Sequence, residues 1–141
     1  MDLTNKYVTR LRKEWEQYGK IIVAVDFDDT ISPWKFSKEE LQDTVDLVKE
    51  VQQTGAYIVI FIACSPDRYE EISSYVNSLG IKVDAINQTP IEIPYGNHNK
   101  IYANIFLDDR AGLEEAKKIL RECMYLQRSF KRSQITLDEV G

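Results

Sequence analysis

The decapeptide IIVAVDFDDT, residues 21–30, decides the fold of this chain. Its first half is an uninterrupted apolar run rich in β-branched residues, which is typical of a strand buried on both faces of a parallel sheet. Its second half places three carboxylates directly after that strand. In open parallel sheets the ligand crevice lies beyond the carboxyl ends of the strands, so these acids stand where a functional site is expected.

Strand-like and helix-like segments alternate through the rest of the chain. Further strands are predicted at residues 57–63, 81–86 and 101–107, and helices at residues 3–18, 37–54, 67–79 and 113–126. Ser37 and Glu40 form a capping-box pattern for the second helix, and Asp67 and Glu70 are expected to cap the third. With right-handed crossovers, this alternation predicts an α/β domain, a Rossmann-like three-layer sandwich around a mostly parallel sheet of four or five strands.

The two ends of the chain carry helical and basic patterns. In the first helix, the aromatic side chains of Tyr7, Trp15 and Tyr18 are expected in the core. The basic run 117–132 is interpreted as a solvated helix face and tail. The tail 128–141 is left open between an added edge strand and a loose segment.

Composition bounds the organisation and the partners of the chain. With 141 residues, 43% of them hydrophobic and 29% charged, we expect one domain over 1–141, made of an N-terminal helix (1–19), a core (20–112) and a C-terminal helix and tail (113–141). The net charge of −5 argues against stable binding to nucleic acid or to a membrane. Two cysteines, no signal peptide and no long apolar run predict a cytoplasmic protein. A homo-oligomer is left open.

A second acidic cluster, Asp108-Asp109, follows the fourth predicted strand. Because parallel strands end at one edge of a sheet, this cluster should converge with the acids after the first strand, and packed carboxylates repel unless a hard cation neutralises them. Mg²⁺ is the natural candidate cofactor. A structural metal site and a non-catalytic phosphate-receiver site stay open at this point. Asp26 and Asp28 are two residues apart, so both can lie on one side, one to attack phosphorus and one to handle the leaving-group proton.

These strand ends resemble motifs of the haloacid dehalogenase superfamily. The matching patterns are an apolar strand followed by Asp-x-Asp-x-Thr, at Asp26, Asp28 and Thr30, and an apolar strand ending in paired acids, at Asp108 and Asp109. The resemblance covers residues 21–112 and looks closest to small stand-alone bacterial and phage members. It implies that Asp26 is the nucleophile that forms an aspartyl-phosphate. It also implies that Asp28 protonates the leaving group and then activates water.

The same resemblance implies a set of magnesium ligands. Asp26 and Asp108 would bind the ion with their carboxylates, and Asp28 would bind it through its backbone carbonyl. Asp109 would stand beside these ligands or behind them. Asp26, Asp28, Asp108 and Asp109 are therefore the expected metal-site residues.

Phosphate-binding residues are implied less directly. The resemblance assigns Thr30 and Lys100 to this group, Lys100 as the cation that steadies the aspartate and phosphoryl charges. A hydroxyl is expected after the second strand, where Ser65 is favoured, although alignment on the following proline would put Ala63 in its place. Asp29 stands where glycine is common, and it should add negative charge near the site.

The function expected from these residues is magnesium-dependent hydrolysis of phosphate monoesters. The alternative is a catalytically weak regulatory domain that binds metal and phosphate. Neither 31–36 nor 87–99 is long enough to build a cap domain, so the crevice should be open and suited to a nucleotide or another bulky phosphate ester. Trp34 and Phe36 could form a small flap, but packing on the helix below is the favoured role for each.

Overall fold

The computed structural model of the chain describes residues 5–91 and 100–140, with side chains up to Ser129. Its sheet contains four parallel strands in the order β3-β2-β1-β4, with β1 at Ile22–Asp26, β2 at Tyr57–Phe61, β3 at Ala85–Ile86 and β4 at Ile105–Leu107. The α-helices are α1 at Lys6–Tyr18, α2 at Lys38–Gln52, α3 at Tyr69–Ser78 and α4 at Leu113–Val140. This all-parallel α/β architecture confirms the predicted fold class.

Strand β1 lies inside the sheet because its apolar residues can be buried on both faces. Val25 is paired with Ile60 of β2 on one side and with Leu107 of β4 on the other, and all three side chains are fully buried. The strands run in the same direction, so β1, β2 and β4 end at one edge of the sheet. Asp26, the last residue of β1, therefore stands at the edge where β4 also ends.

The outer strands are shorter than the sequence predicts because polar side chains take over part of the pairing. Asp84 accepts a hydrogen bond from the backbone N–H of Ile58 at 2.7 Å, and Asn104 accepts one from the backbone N–H of Ile22 at 2.7 Å. A side-chain oxygen thus replaces the backbone carbonyl that a longer strand would have supplied. The predicted strands 81–86 and 101–107 contract to Ala85–Ile86 and Ile105–Leu107.

The two faces of the sheet support cores of different size. The larger cluster includes Val23 and Val25 of β1 together with buried residues from each of α1, α2, α3 and α4. On the opposite face, Ile22, Val59 and Ala85 form a smaller cluster, against which the segment 101–103 packs. Alternation of side chains along each strand explains this division. The segment 101–103, predicted as part of the fourth strand, thus packs over the smaller cluster on this face of the sheet.

Helix α1 buries one stripe of side chains and leaves two of its aromatics in solvent. Val8, Leu11 and Trp15 are buried at helical spacing, which confirms Trp15 as a core residue. Tyr7 and Tyr18 are exposed, so their predicted place in the core is wrong. Both lie off the buried stripe, because the position of Val8 fixes which face of the helix turns inward.

The starts of α2 and α3 differ in how they are capped. The predicted capping box of α2 is confirmed, with the Ser37 hydroxyl accepting from the backbone N–H of Glu40 and the Glu40 carboxylate accepting from that of Ser37. The predicted cap of α3 by Asp67 and Glu70 is wrong. A 3-10 turn at Pro66–Arg68 precedes α3 and no side chain caps it. Pro66 favours such a first turn, and the Asp67 carboxylate is occupied by the Ser65 hydroxyl.

Helix α4 is longer than predicted and partly internal. Its backbone continues to Val140, so neither an edge strand nor a loose tail is correct for 128–140. Lys117 is buried and contacts Asp43 of α2 at 2.6 Å, while Arg121 donates to both oxygens of the same carboxylate at 2.7 Å. Arg121 and then Lys117 lower the pKa of Asp43. The interpretation of 117–132 as a wholly solvated basic face is therefore wrong. In the described part of the chain, no helix combines the length and apolar character needed to cross a bilayer.

Candidate metal centre

The loop after β1 folds back tightly on itself. The backbone carbonyl of Phe27 accepts hydrogen bonds from the N–H groups of Ile31 at 3.2 Å and Ser32 at 2.9 Å. Asp29 takes a left-handed conformation with φ of 59°, which Asp adopts at modest cost. As a result Asp29 and Thr30 turn inward and are buried, while Asp28 is exposed.

Three carboxylates meet at the edge of the sheet where β1 and β4 end. Asp26 is the last residue of β1, and Asp108 and Asp109 follow directly after β4. Each of them has a carboxylate oxygen within 4.8 Å of an oxygen of the other two. All three side chains are partly buried, so solvent screens their mutual repulsion less than at an open surface. The structure thus brings together three of the four expected metal-site residues by their carboxylates.

The donor set of this metal centre fits a hard divalent cation. In an octahedral magnesium site with bonds of about 2.1 Å, ligand oxygens lie about 3 to 4 Å apart. Oxygens of Asp26, Asp108 and Asp109 already lie within 4.8 Å of one another, so they need to close by at most about 1 to 2 Å to reach that spacing. Magnesium also keeps several waters, so three carboxylates are enough protein ligands. These three residues could hold Mg²⁺.

Thr30 ties the two strand ends together. Its side chain is fully buried, and its hydroxyl lies 3.1 Å from an Asp26 carboxylate oxygen and 3.4 Å from one of Asp109. The same hydroxyl oxygen accepts the backbone N–H of Asp109 at 3.0 Å. One hydroxyl therefore fixes Asp26 relative to the loop after β4. In this structure Thr30 positions the carboxylates.

Without a cation, the pKa of the Asp26 carboxyl group lies well above its ordinary value of 3.8. Burial, a hydrogen bond with the carboxyl of Asp109, and the negative charges of Asp108 and Asp109 raise the pKa of Asp26 to about 7. The hydrogen bond from Thr30 acts in the opposite direction. A carboxyl that resists ionisation beside two others is what crowding of like charges produces. A divalent cation would relieve that crowding.

Asp28 and Asp29 have different surroundings although they are neighbours. The exposed carboxylate of Asp28 is not one of the three clustered carboxylates. Its predicted roles, as a proton donor and as a backbone-carbonyl ligand, stay predictions. The Asp29 carboxylate accepts the backbone N–H groups of Trp34, Lys35 and Phe36 at 2.8 to 3.0 Å.

This arrangement makes Asp29 an organiser of the loop 31–37. Burial opposes its charge, but the three backbone donors outweigh that effect and lower the pKa of Asp29. The expectation that Asp29 simply adds negative charge at the site missed this role. Its only sequence signal is an Asp at a position that needs a left-handed conformation.

Trp34 and Phe36 lie on that loop with their rings in solvent. Trp34 is 66% exposed and Phe36 48% exposed, so their predicted packing on the helix below is wrong. The ammonium of Lys35 lies 4.7 Å from the centre of the Trp34 ring, a cation–π contact. Because Asp29 holds three consecutive amides, these side chains are displayed from an ordered backbone.

The predicted phosphate-binding residues after β2 are less closely tied to the metal centre. Ser65 and Ala63 are both exposed beyond the end of β2, and the Ser65 hydroxyl donates to Asp67. The choice between Ser65 and Ala63 stays a prediction. Sequence reasoning missed Asn87, whose amide bonds both the N–H and the carbonyl of Ile62 at 2.8 Å and so holds the chain after β2 in place.

Lys100 lies just after the gap in the described residues. Its side chain is exposed, and within residues 5–91 and 100–129 no hydrogen bond or ion pair joins it to Asp26, Asp108 or Asp109. Residues 92–99, the second part of the loop 87–99 that precedes Lys100, lie outside the described residues. The role of Lys100 at the phosphoryl group stays a prediction.

Comparisons with known proteins support the fold and go no further. No family model matches the chain, and no curated protein matches it. A solved structure described as "Structure of the conserved protein coded by locus from Bacteroides thetaiotaomicron" is similar, with a TM-score of 0.59 and 24% identity over 73% of this chain and 91% of that one. At this identity the likeness concerns the fold alone. The fold and the three carboxylates together define an α/β protein with a candidate metal centre at its sheet edge.

Proposed function

We propose that the chain is a Mg²⁺-dependent phosphomonoesterase that works through an aspartyl-phosphate at Asp26. The observation that carries the proposal is the convergence of Asp26 with Asp108 and Asp109 at the carboxyl edge of a parallel sheet. The resemblance of the segments around these residues to the haloacid dehalogenase superfamily adds the reaction type. Asp26 is the one member of the cluster that is followed two residues later by another, exposed carboxylate, Asp28.

The reaction proposed for this geometry has two displacements. The Asp26 carboxylate attacks phosphorus in line and the ester oxygen leaves with a proton from Asp28, which forms an aspartyl-phosphate and an alcohol. Asp28 then takes a proton from water, and the water oxygen attacks phosphorus to release phosphate and restore Asp26. Lys100 offsets phosphoryl charge, and Thr30 keeps Asp26 oriented. Bound magnesium supplies charge neutralisation between the carboxylates and the phosphate.

We expect open access to the site, which would also admit esters of bulky alcohols, such as nucleotides. Only residues 31–37 separate Thr30 from α2, which is too short for a cap domain. The exposed rings of Trp34 and Phe36 offer apolar surface near that entrance. A leaving group larger than a few atoms can therefore extend into solvent.

One observation favours the second candidate, a regulatory domain that binds metal and phosphate with weak turnover. The Ser65 hydroxyl is engaged by Asp67, so it is not free to contact a phosphoryl group in this conformation. Loss of one positioned donor lowers catalysis more than it lowers binding, because donors aimed at the transition state act mainly on the rate. Weak turnover with retained metal binding would then result.

Steady-state hydrolysis of p-nitrophenyl phosphate with and without Mg²⁺ tests the proposal. We expect Mg²⁺-dependent phosphate release that is abolished in Asp26→Asn. Because this substitution keeps nearly the same side-chain volume, circular dichroism should show that the variant keeps its fold. Asp46→Asn is the matched control, because Asp46 is an exposed carboxylate on α2 whose hydrogen bonding among the described residues is limited to Gln42. Full activity in Asp26→Asn would remove Asp26 from the mechanism, and binding of Mg²⁺ without turnover would favour the regulatory domain.

A further inference from the structure

A cleft of about 410 Å³ opens beside the metal centre, between the first turns of α2 and α4. Asp109 belongs to both, since it lines the cleft and is one of the three clustered carboxylates. The volume lies within the range of small-molecule sites. A group attached to a phosphate at the metal centre has this cleft within reach.

The walls of the cleft combine apolar and acidic side chains from both α2 and α4. Phe36, Leu41 and Leu113 supply the apolar surface. Five acidic residues line the cleft, and no lysine, arginine or histidine lines it in the part of the chain that the structure describes. Such walls suit an organic group that carries positive charge.

Thr44 gives an independent sign of a ligand. It lines the cleft while being only 2% exposed, and its hydroxyl makes no hydrogen bond to any residue within 5–91 and 100–129. The hydroxyl oxygen keeps some accessible surface, since among the described residues the fully buried side-chain atom without a partner is Nε of Arg12 and not the Thr44 oxygen. The Thr44 hydroxyl is thus a ready partner for a polar atom placed in the cleft.

The net charge of the cleft is negative even after the helix N-termini, the paired lysine and the metal are counted against its carboxylates. The N-termini of α2 and α4 each contribute roughly half a positive charge. Glu114 is paired with Lys117 at 3.3 Å, and Asp109 would face the metal. Asp29, Glu40 and Glu115 remain, since the neutral amides that bind Asp29 and Glu40 leave their charges in place, and Glu115 has no hydrogen bond or ion pair with any described residue. Three carboxylates outweigh the two helix ends by about two charges.

We propose that this cleft binds the leaving group of the substrate and that this group is an alkyl chain ending in a primary ammonium. The inference rests on the proposed function, since it places the phosphate of the same ester at the metal centre. The ammonium donates N–H bonds to the Thr44 hydroxyl and to Glu115, and its methylene groups pack on Leu41 and Leu113. The ring of Phe36 adds a cation–π surface.

The test compares two phosphate esters of equal size, 3-aminopropyl phosphate and butyl phosphate. We expect kcat/KM to be at least about tenfold higher for the aminopropyl ester, a preference that shrinks as salt screens the charge. Glu115→Gln and Thr44→Val should each reduce the ratio severalfold. Glu39→Gln should leave the ratio unchanged, because Glu39 occupies the first turn of α2 without lining the cleft.

Binding of 3-aminopropanol alone, followed by NMR shifts of the protein, separates this inference from the proposed function. Binding that weakens in Glu115→Gln but not in Glu39→Gln supports the cleft even if no ester is hydrolysed, an outcome that would overturn only the phosphatase proposal. If both esters are hydrolysed equally and 3-aminopropanol shifts no signal, the cleft assignment is wrong and the phosphatase proposal stands. Equal binding of 1-butanol and 3-aminopropanol would also overturn the ammonium specificity.

Discussion

Binding of Mg²⁺ at the three clustered carboxylates should depend on pH through one group, Asp26. Its pKa of about 7 in the metal-free protein means that the cation must displace a proton below that pH. At pH 6 about nine-tenths of the Asp26 carboxyl is protonated, and at pH 8 about one-tenth is. The apparent affinity for Mg²⁺ should therefore rise about tenfold between pH 6 and pH 8, which corresponds to about 1.4 kcal/mol, and then level off.

The same pKa fixes the sign of a stability effect in the metal-free protein. Asp26 has a higher pKa folded, about 7, than its ordinary value of 3.8, so its protonation stabilises the native state. This contribution is fully present below pH 4 and is lost as the pH rises through 7. Asp26 is only partly buried, so solvent screening reduces the effect to about 1 to 2 kcal/mol. Saturating Mg²⁺ should reverse the trend.

Calorimetric titration with Mg²⁺ at pH 6, 7 and 8, with thermal unfolding in chelator as a companion, measures both effects. Asp26→Asn cannot titrate and should lose the pH dependence of binding. Asp46→Asn, which leaves the cluster intact, should keep it. An affinity that is the same at pH 6 and pH 8, or the same pH slope in Asp26→Asn, would refute the assignment of the proton to Asp26.

Three further predictions concern single side chains. Asp28→Asn should slow hydrolysis of esters with poor leaving groups by about 10²-fold or more and matter less for an activated aryl ester; equal losses for both esters would argue against the acid role. Ser65→Ala should lower turnover, whereas Ala63→Thr should raise it if Ala63 holds the hydroxyl position; if neither rate changes, both assignments are wrong. Thr30→Val leaves the Asp109 N–H unpaired and should destabilise the protein by about 1 to 3 kcal/mol in urea unfolding. Thr30→Ser, which keeps the hydroxyl, should lose only about 1 kcal/mol, so a Val variant as stable as wild type would contradict the bridging role.

The convergence of Asp26, Asp108 and Asp109 follows from information that the sequence carries locally. Each acid comes directly after an apolar run, and parallel strands end at one edge, so no knowledge of loops is needed to bring them together. The same holds for the capping box of α2, which involves residues three positions apart. Predictions of this kind succeed because their physical cause lies within a few residues or within the strand direction.

The roles that sequence reasoning missed depend on distant contacts. Asn87 bonds the backbone of Ile62, 25 residues away, and Lys117 is buried because Asp43 on another helix accepts its charge. Trp34 was expected to pack on a helix, but Asp29 holds its backbone in a loop that leaves the ring in solvent. Composition and periodicity carry no information about such contacts between residues that are distant in sequence.

The phosphorylation state of Asp26 during turnover tests the central proposal most directly. The Asp28→Asn variant, which should form the aspartyl-phosphate from p-nitrophenyl phosphate but hydrolyse it slowly, is mixed with substrate and Mg²⁺, quenched in acid and analysed by peptide mass spectrometry. We expect a phosphoryl group on Asp26, absent with chelator and absent when Asp26→Asn is added to the variant. Phosphate release by the wild-type protein with no phosphoryl group on Asp26 in the quenched variant, or with one on another residue, would contradict it.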